Sequence, residues 1–234
     1  MNSDILPPEM KDPAIAHPAA TVVLLRDGGT ACEVLLVQRN QQLSFHGGAW
    51  VFPGGRIDAE DYDAAGSEDP VAAARHAAVR EAREEAGLGI AVADLLLISR
   101  WVTPELSPKR FDTWFFAAPA GSEAVQVDGG EIHAHRWITP GDALAAHGRG
   151  EIDLPPPTFV TLSQLTGFAN TREAFDRLAQ DGMETFLPRL QPVADGACCL
   201  YPDDVAYDAG DLDRPGPRHR LWMLESGWRY ERNE

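Results

Sequence analysis

Apolar and polar positions alternate in two modes along this chain, and the switch between them outlines the elements. Residues 20–26 and 33–39 are rich in Val and Leu, and Asp27-Gly28-Gly29 between them is a turn signal. They predict two successive strands. A polar, glycine-containing loop over residues 40–48 leads into Ala49-Trp50-Val51-Phe52 and then Pro53-Gly54-Gly55. Residues 58–69 are acidic and turn-rich and read as a surface loop. Asp69 then stands where an N-cap belongs, with Pro70 behind it, and the alanine-rich run 71–86 stops at Gly87. That punctuation predicts one long helix.

Three more strands are expected at residues 95–102, 113–118 and 132–138, followed by a short helix at 140–146. After the break at Pro155-Pro156-Pro157, helices are expected at 158–165 and 171–179, then short extended pieces including 221–224. Strands mixed with one long helix predict an α+β or α/β sandwich. The expected division is a flexible lead-in at residues 1–18, a main domain at 19–150 and a partly helical accessory subdomain at 151–234. The sequence leaves open whether that last part covers a cleft or makes a homodimer contact.

At 234 residues the chain is long enough for one well-cored domain with such an addition. Its net charge of −16 argues against nucleic-acid or anionic-membrane partners, whose own charge the long-range field repels. A small phosphorylated substrate is not excluded, because a divalent cation and a few local arginines reverse that field at short range. No window approaches the roughly 20 apolar residues of a membrane span. The proline-punctuated start carries no basic segment followed by an apolar run, so it does not read as a signal peptide. Cys32, Cys198 and Cys199 are too few for a disulfide framework, and the adjacent pair reads as packing residues. The expected compartment is the cytoplasm.

The chemistry concentrates at Arg80-Glu81-Ala82-Arg83-Glu84-Glu85-Ala86-Gly87-Leu88. On a helix Glu81, Glu84 and Glu85 fall within about 100° of arc, and like charges so placed repel. A hard cation resolves the repulsion, and Mg²⁺ prefers such oxygen ligands and bridges to phosphates. Taken alone, Glu-x-x-Glu-Glu is more often a solvated helix face. The flanking residues decide otherwise. The segment resembles the C-terminal half of the Nudix box, Gly-x₅-Glu-x₇-Arg-Glu-U-x-Glu-Glu-x-Gly-U with U a bulky apolar residue. Only the small Ala82 departs from it. Phe52-Pro53-Gly54-Gly55 resembles the entry to the box. Five residues beyond Gly55 stands Asp61 in place of glutamate, and the interval from Asp61 to Arg80 is eleven residues too long. An insertion at residues 62–69 accounts for it.

The interrupted box is similar to the branch of Nudix hydrolases that cleaves coenzyme A and acyl-CoA. Leu35-Leu36-Val37-Gln38-Arg39-Asn40, Ser44, Gly48 and Phe52-Pro53-Gly54-Gly55 keep the spacing of that branch's upstream signature, with Val37, Asn40 and Ser44 departing from its side chains. Trp101-Val102-Thr103-Pro104 and Arg110-Phe111-Asp112-Thr113 resemble it downstream, so the likeness spans about residues 21–140. The resemblance implies an α/β/α sandwich and Mg²⁺- or Mn²⁺-dependent hydrolysis of a nucleoside diphosphate linkage. Glu81 and Glu85 would be the principal ligands. Glu84 would complete the set or accept the water proton, and Arg80 would orient the glutamates. Arg39, Gly54, Gly55, Arg56, Lys109 and Arg110 are candidates for substrate binding, His46 for substrate contact and Glu131 for a distal carboxylate. The alternatives are an enzyme for ADP-ribose, NADH or dinucleoside polyphosphates, and a catalytically silent nucleotide-binding domain.

Overall fold

A computed structural model describes residues 14–42, 47–105, 107–127 and 129–233. Strands β1 (Ala16–Asp27) and β2 (Cys32–Arg39) form where the Val- and Leu-rich runs stand, antiparallel, with Leu25 opposite Val34. The Gly28 N–H closes their turn on the Ala31 carbonyl at 2.9 Å. Strand β1 begins four residues before the expected start, so Ala16, His17 and Pro18 belong to the sheet and not to a lead-in. The extension matters because β1 lies parallel to β6 (Arg110–Pro119) over its length, from Ala16 opposite Arg110 to Leu25 opposite Pro119.

Short strands β3 (Trp50–Val51) and β4 (Gly54–Arg56) pair with β2 and β1 respectively. With β5 (Leu96–Val102), β7 (Ile132–Ile138) and β8 (Glu184–Phe186) they complete a mixed eight-stranded sheet. Its order is β3-β2-β1-β6-β5-β8, with β4 on β1 and β7 on β2.

The period of two in β1 and β2 sorts the core into two layers. Val22, Leu24, Leu35 and Val37 face helix α2 (Pro70–Ala86), which meets them with Ala73, Ala74, Ala77, Ala78, Ala82 and Ala86. Alanine at these positions keeps the helix backbone close to the sheet. Val23, Leu25, Val34 and Leu36 face the other way, into a cluster with residues of α3 (Pro140–Gly148), α4 (Pro156–Gln164) and α5 (Thr171–Asp181). The result is the expected α+β fold, an α/β/α sandwich.

Helix α2 starts and stops as its sequence dictates. Asp69 accepts from the Val71 N–H at 3.1 Å, Pro70 fills the first turn, and Gly87 closes the end at φ 69°. The acidic stretch before it differs from expectation. Residues Ala59–Ala65 form helix α1, whose Asp61 is 4% exposed and accepts from the Asp58 N–H at 2.9 Å. Acidic residues suit a helix N-terminus through the macrodipole, so a run that resembles a solvated loop is also a legitimate first turn.

The C-terminal part departs most from the reading of short extended pieces. Strands β9 (Arg189–Val193), β10 (Gly196–Leu200), β11 (Arg218–Leu224) and β12 (Gly227–Asn233) make a second, antiparallel sheet. Cys199, Tyr201 and Leu221 join the core cluster that includes Trp101 and Phe186, so residues after 150 share a core with those before. Arg220 of β11 makes a bidentate pair with Asp204 at 2.7 and 2.6 Å, both side chains buried. Burial would raise the Asp204 pKa, yet Arg220 and the His219 and Ala206 N–H groups hold it below the usual carboxylate value. Among the described residues no helix is long and apolar enough to cross a membrane.

Removing one partner of this pair leaves the other charge buried. Arg220→Leu should cost about 3–5 kcal/mol of stability, read as a lower urea midpoint. A midpoint within error of the wild type would show that the pair is not supporting this sheet.

Candidate active site

The last two turns of α2 and the backbone of β4 build the site together. Strand β4 pairs antiparallel with β1, Gly55 opposite Ala20 and Gly54 opposite Thr21. This brings Gly54-Gly55 against the glutamate face of α2. The Gly54 N–H donates to Glu85 Oε2 at 2.9 Å. A Cβ on Gly55 would overlap Glu81 Oε1, and one on Gly54 would overlap the Ala20 carbonyl. Both glycines are therefore required by close approach, one of carboxylate to backbone and one of strand to strand.

The three glutamates are not equivalent. Glu85 is 5% exposed, the Glu81 side chain 12% and the Glu84 side chain 59%. Burial pushes the Glu85 pKa up to about 8, against the Gly54 N–H and Arg39, with Glu81 and Glu131 raising it further. Burial likewise raises Glu81, opposed by Arg80 and reinforced by Glu84 and Glu131. The Glu131 carboxylate is thus close enough for both buried glutamates to feel its charge. Each raised value is a free-energy cost of keeping the anion out of water.

Arg80 ties the cluster together. Its Nε and Nη2 donate to Asp61 at 3.2 and 3.0 Å, and Nη2 also donates to the Arg56 carbonyl at 2.9 Å. Nη1 donates to Glu81 Oε1 at 2.8 Å and Glu84 Oε2 at 3.0 Å. The Asp61 hydrogen bonds are the leading cause of a raised Arg80 pKa, so the guanidinium is a fixed positive charge. Asp61, whose role the sequence left in doubt, anchors that arginine from α1.

Over this cluster opens a cleft of about 650 Å³. Arg39, Gly54, Gly55, Arg56 and Glu131 line it, as do Arg80 and the three glutamates. The Arg39 Nε is buried and has no hydrogen-bond partner among the described residues. Arg110 stands elsewhere. Its guanidinium donates to the Thr103 carbonyl at 3.1 Å and the Ala14 carbonyl at 2.8 Å, tying two chain segments together, and it does not line the cleft. Lys109, Phe111 and Thr113 do line it. They are spaced by two along β6 and its approach, so they share one face of the strand. No described residue beyond Glu131 lines the cleft, so the C-terminal part does not cover it. His46 and Ser44 lie outside the described residues.

The donor set fits a hard divalent cation. It consists of carboxylate oxygens, two of them buried at a cost that positive charge would remove, and it faces a cleft edged by cationic side chains. A second polar group, Glu184, Asp203 and His219, has ligand atoms within 4.8 Å of one another. Its positive charge is already supplied, because the Arg232 guanidinium pairs with Glu184 and lies 3.2 Å from His219 Nε2. Cys198 and Cys199 are buried, and burial raises their thiols to about 11 and about 12, as expected of packing residues.

Known proteins resemble this chain in sequence and in fold. The chain is 30% identical to the acyl-coenzyme A diphosphatase NUDT19 of Xenopus laevis over 150 residues, covering 57% of the chain and 39% of that protein. It is 34% identical to the human NUDT19 over 115 residues, covering 47% and 31%. The chain thus corresponds to less than half the length of these relatives. Among solved structures, a NUDIX hydrolase from Alicyclobacillus acidocaldarius is 28% identical with a TM-score of 0.63, covering 70% of this chain and 96% of that one. The NUDIX domain of Shewanella oneidensis NrtR, crystallised with ADP ribose, shares the fold at 17% identity and a TM-score of 0.51, covering 73% and 94%. A family model for the NUDIX domain matches residues 16–156, from the first strand through the glutamate helix and past Glu131, and the chain belongs to that family.

Proposed function

We propose that this chain is a Mg²⁺- or Mn²⁺-dependent diphosphatase acting on coenzyme A or acyl-CoA, with adenosine 3′,5′-bisphosphate and (acyl-)phosphopantetheine as products. The observation that carries the hydrolase reading is the pair of buried carboxylates, Glu81 and Glu85, pressed against the Gly54-Gly55 backbone at the floor of a cleft edged with cations. The coenzyme A assignment is supported by the 30–34% identity to acyl-CoA diphosphatases and by the interrupted box with its upstream signature.

Glu81 and Glu85, with Glu84 completing the set, would hold the cation, which would supply neutralising charge for phosphate oxygens and a more acidic water. Arg80, fixed by Asp61, holds Glu81 and Glu84 in place and lowers their mutual repulsion. Arg39, beside Glu85, offers its unpartnered Nε to a phosphate oxygen. Either of two carboxylates would take the proton of the attacking water. Glu84 is exposed at the rim, and Glu131 is felt by both buried glutamates across the cleft. The unit that acts runs from residue 16, where β1 begins, to about residue 150, with the remainder to 234 as an accessory part that shares its core. Three buried thiols suit the cytoplasm, and the charge of −16 suits a small substrate rather than nucleic acid or a membrane.

Glu81→Gln and Glu85→Gln should each lower kcat by about 100- to 1000-fold, several kcal/mol of transition-state stabilisation. Turnover at the wild-type rate in either variant would dismiss the site. Asp61→Asn should act at one remove, raising the Mg²⁺ concentration for half-maximal rate by about 10- to 100-fold and leaving KM at saturating Mg²⁺ close to wild type. An unchanged Mg²⁺ requirement would separate Asp61 from the metal-holding cluster. A panel of coenzyme A, acyl-CoA, ADP-ribose, NADH and diadenosine tetraphosphate should show release of adenosine 3′,5′-bisphosphate as the fastest reaction. Faster cleavage of ADP-ribose would reassign the substrate, and binding without turnover of any of them would favour a silent nucleotide-binding domain.

A further inference from the structure

The cleft has two chemically different ends. Against the glutamates at one end stands a cationic and aromatic group at the other. The Arg56 Nη2 lies 3.2 Å from His17 Nδ1. His17 stands opposite Phe111 in the β1–β6 ladder, their rings 6.3 Å apart. Lys109 Nζ lies 5.4 Å from the centre of the Phe111 ring. Arg56, Lys109 and Phe111 all line the cleft. Two described carboxylates nearby face other partners. Asp58 lies 3.9 Å from Arg80, and Asp112 is held by Arg100 through two hydrogen bonds at 2.7 and 2.6 Å. Among the described residues, no carboxylate pairs with the Arg56 side chain.

Arg56 follows Gly54 by two residues, about 7 Å along the strand, and the Gly54 N–H marks the glutamate floor through its bond to Glu85. Gly54 and Arg56 lie on the same face of the strand, so Arg56 stands one step beyond the glutamate floor. In a protein of net charge −16, a dianionic group binds only where local cations reverse the field, and this end of the cleft supplies them. A diphosphate on the glutamate floor is already served by Arg39 and the cation site, so it gives no reason for a second basic cluster. We propose that Arg56 and Lys109, with His17 beside them, bind a phosphomonoester on the ribose of the substrate, and that Phe111 presents its ring to the adjoining base. This rests on the diphosphatase reading and deepens it. The site would select substrates with a nucleoside 3′,5′-bisphosphate half over those with a free 3′ hydroxyl.

The test compares coenzyme A with 3′-dephospho-coenzyme A in the wild type, Lys109→Gln and Arg56→Gln/Lys109→Gln. Loss of charge-assisted hydrogen bonds predicts a wild-type kcat/KM ratio favouring coenzyme A by about 10- to 100-fold, falling toward one in the double variant. Calorimetric titration of adenosine 3′,5′-bisphosphate and AMP gives a second readout independent of turnover. The wild type should bind the bisphosphate more tightly, and the double variant should bind the two alike. Lys109→Gln is the milder change, and circular dichroism reports whether each variant is folded. Equal wild-type rates and affinities for the two members of each pair would overturn the proposal and leave the diphosphatase reading standing, as would a preference that survives the double substitution. Cleavage of neither coenzyme would overturn both.

Discussion

Two carboxylates held out of water against glycine backbone set the terms for the rest of the site. Glu85 meets the Gly54 N–H and Glu81 fills the space beside Gly55 that any side chain would take. Keeping such groups anionic in a dry place costs several kcal/mol each unless positive charge arrives. The surroundings supply it incompletely: Arg80 binds Glu81 and the field of Arg39 reaches Glu85, while Glu131 adds negative charge to both. An apo site left short of positive charge in this way favours a cation over an empty state. The strain of holding the cluster is carried by α2, whose alanine face locks the helix to the sheet and leaves it little freedom to move the glutamates apart.

Arg80 works only because something holds it, and that is where the insertion in the box becomes intelligible. Extra residues between Asp61 and Arg80 would separate two groups that need to touch, if the chain between them ran straight. Instead α1 caps at Gly66, the chain turns, and α2 begins at Pro70, so the two helices return Asp61 to within 3.0 Å of the guanidinium. A surface loop between helices lengthens at small entropic cost. The pairing of anchor and arginine survives the added length because it depends on where α1 lies and not on the residue count.

This also explains what the sequence could and could not reveal. The glutamate helix was legible in full because its cap, first-turn proline, alanine stripe and terminal glycine are local signals, and the family resemblance fixed its register. The sandwich class followed from strands mixed with one long helix, and the α/β/α layering was what the family resemblance implied. The strands of the second sheet were not legible. Arg189–Val193 and Gly227–Asn233 are edge strands that pair with their chain neighbours, but the pairing that joins the two hairpins into one sheet, Leu200 opposite Arg220, spans a long irregular connection that no local signal announces. Cleft residues on β6 were a matter of parity. Phe111 and Thr113 point into the cleft, whereas Arg110 turns to the Thr103 and Ala14 carbonyls, and no count along the sequence says which parity faces inward until β1 pairs with β6. Residues 59–65 form a helix within the expected loop of 58–69 for a related reason, since acidity alone does not separate a solvated loop from a helix start.

The C-terminal part, although it lines no wall of the cleft, bears on the cleft through the sheet. Strand β8 pairs with β5, and β5 pairs with β6, the strand that carries Phe111 and Thr113. Trp101 of β5 stacks on Phe186 of β8 at 3.9 Å between ring centres, and Tyr201 meets both rings edge-on. Three aromatic side chains so packed resist shear between β5 and its neighbour, because any sliding opens a void that nothing fills. A sheet braced at its far edge keeps β6 in register with β1, and that register brings His17 opposite Phe111. The shape of the basic end of the cleft is therefore a property of the whole sheet, including an edge strand contributed from beyond the span that the NUDIX model matches.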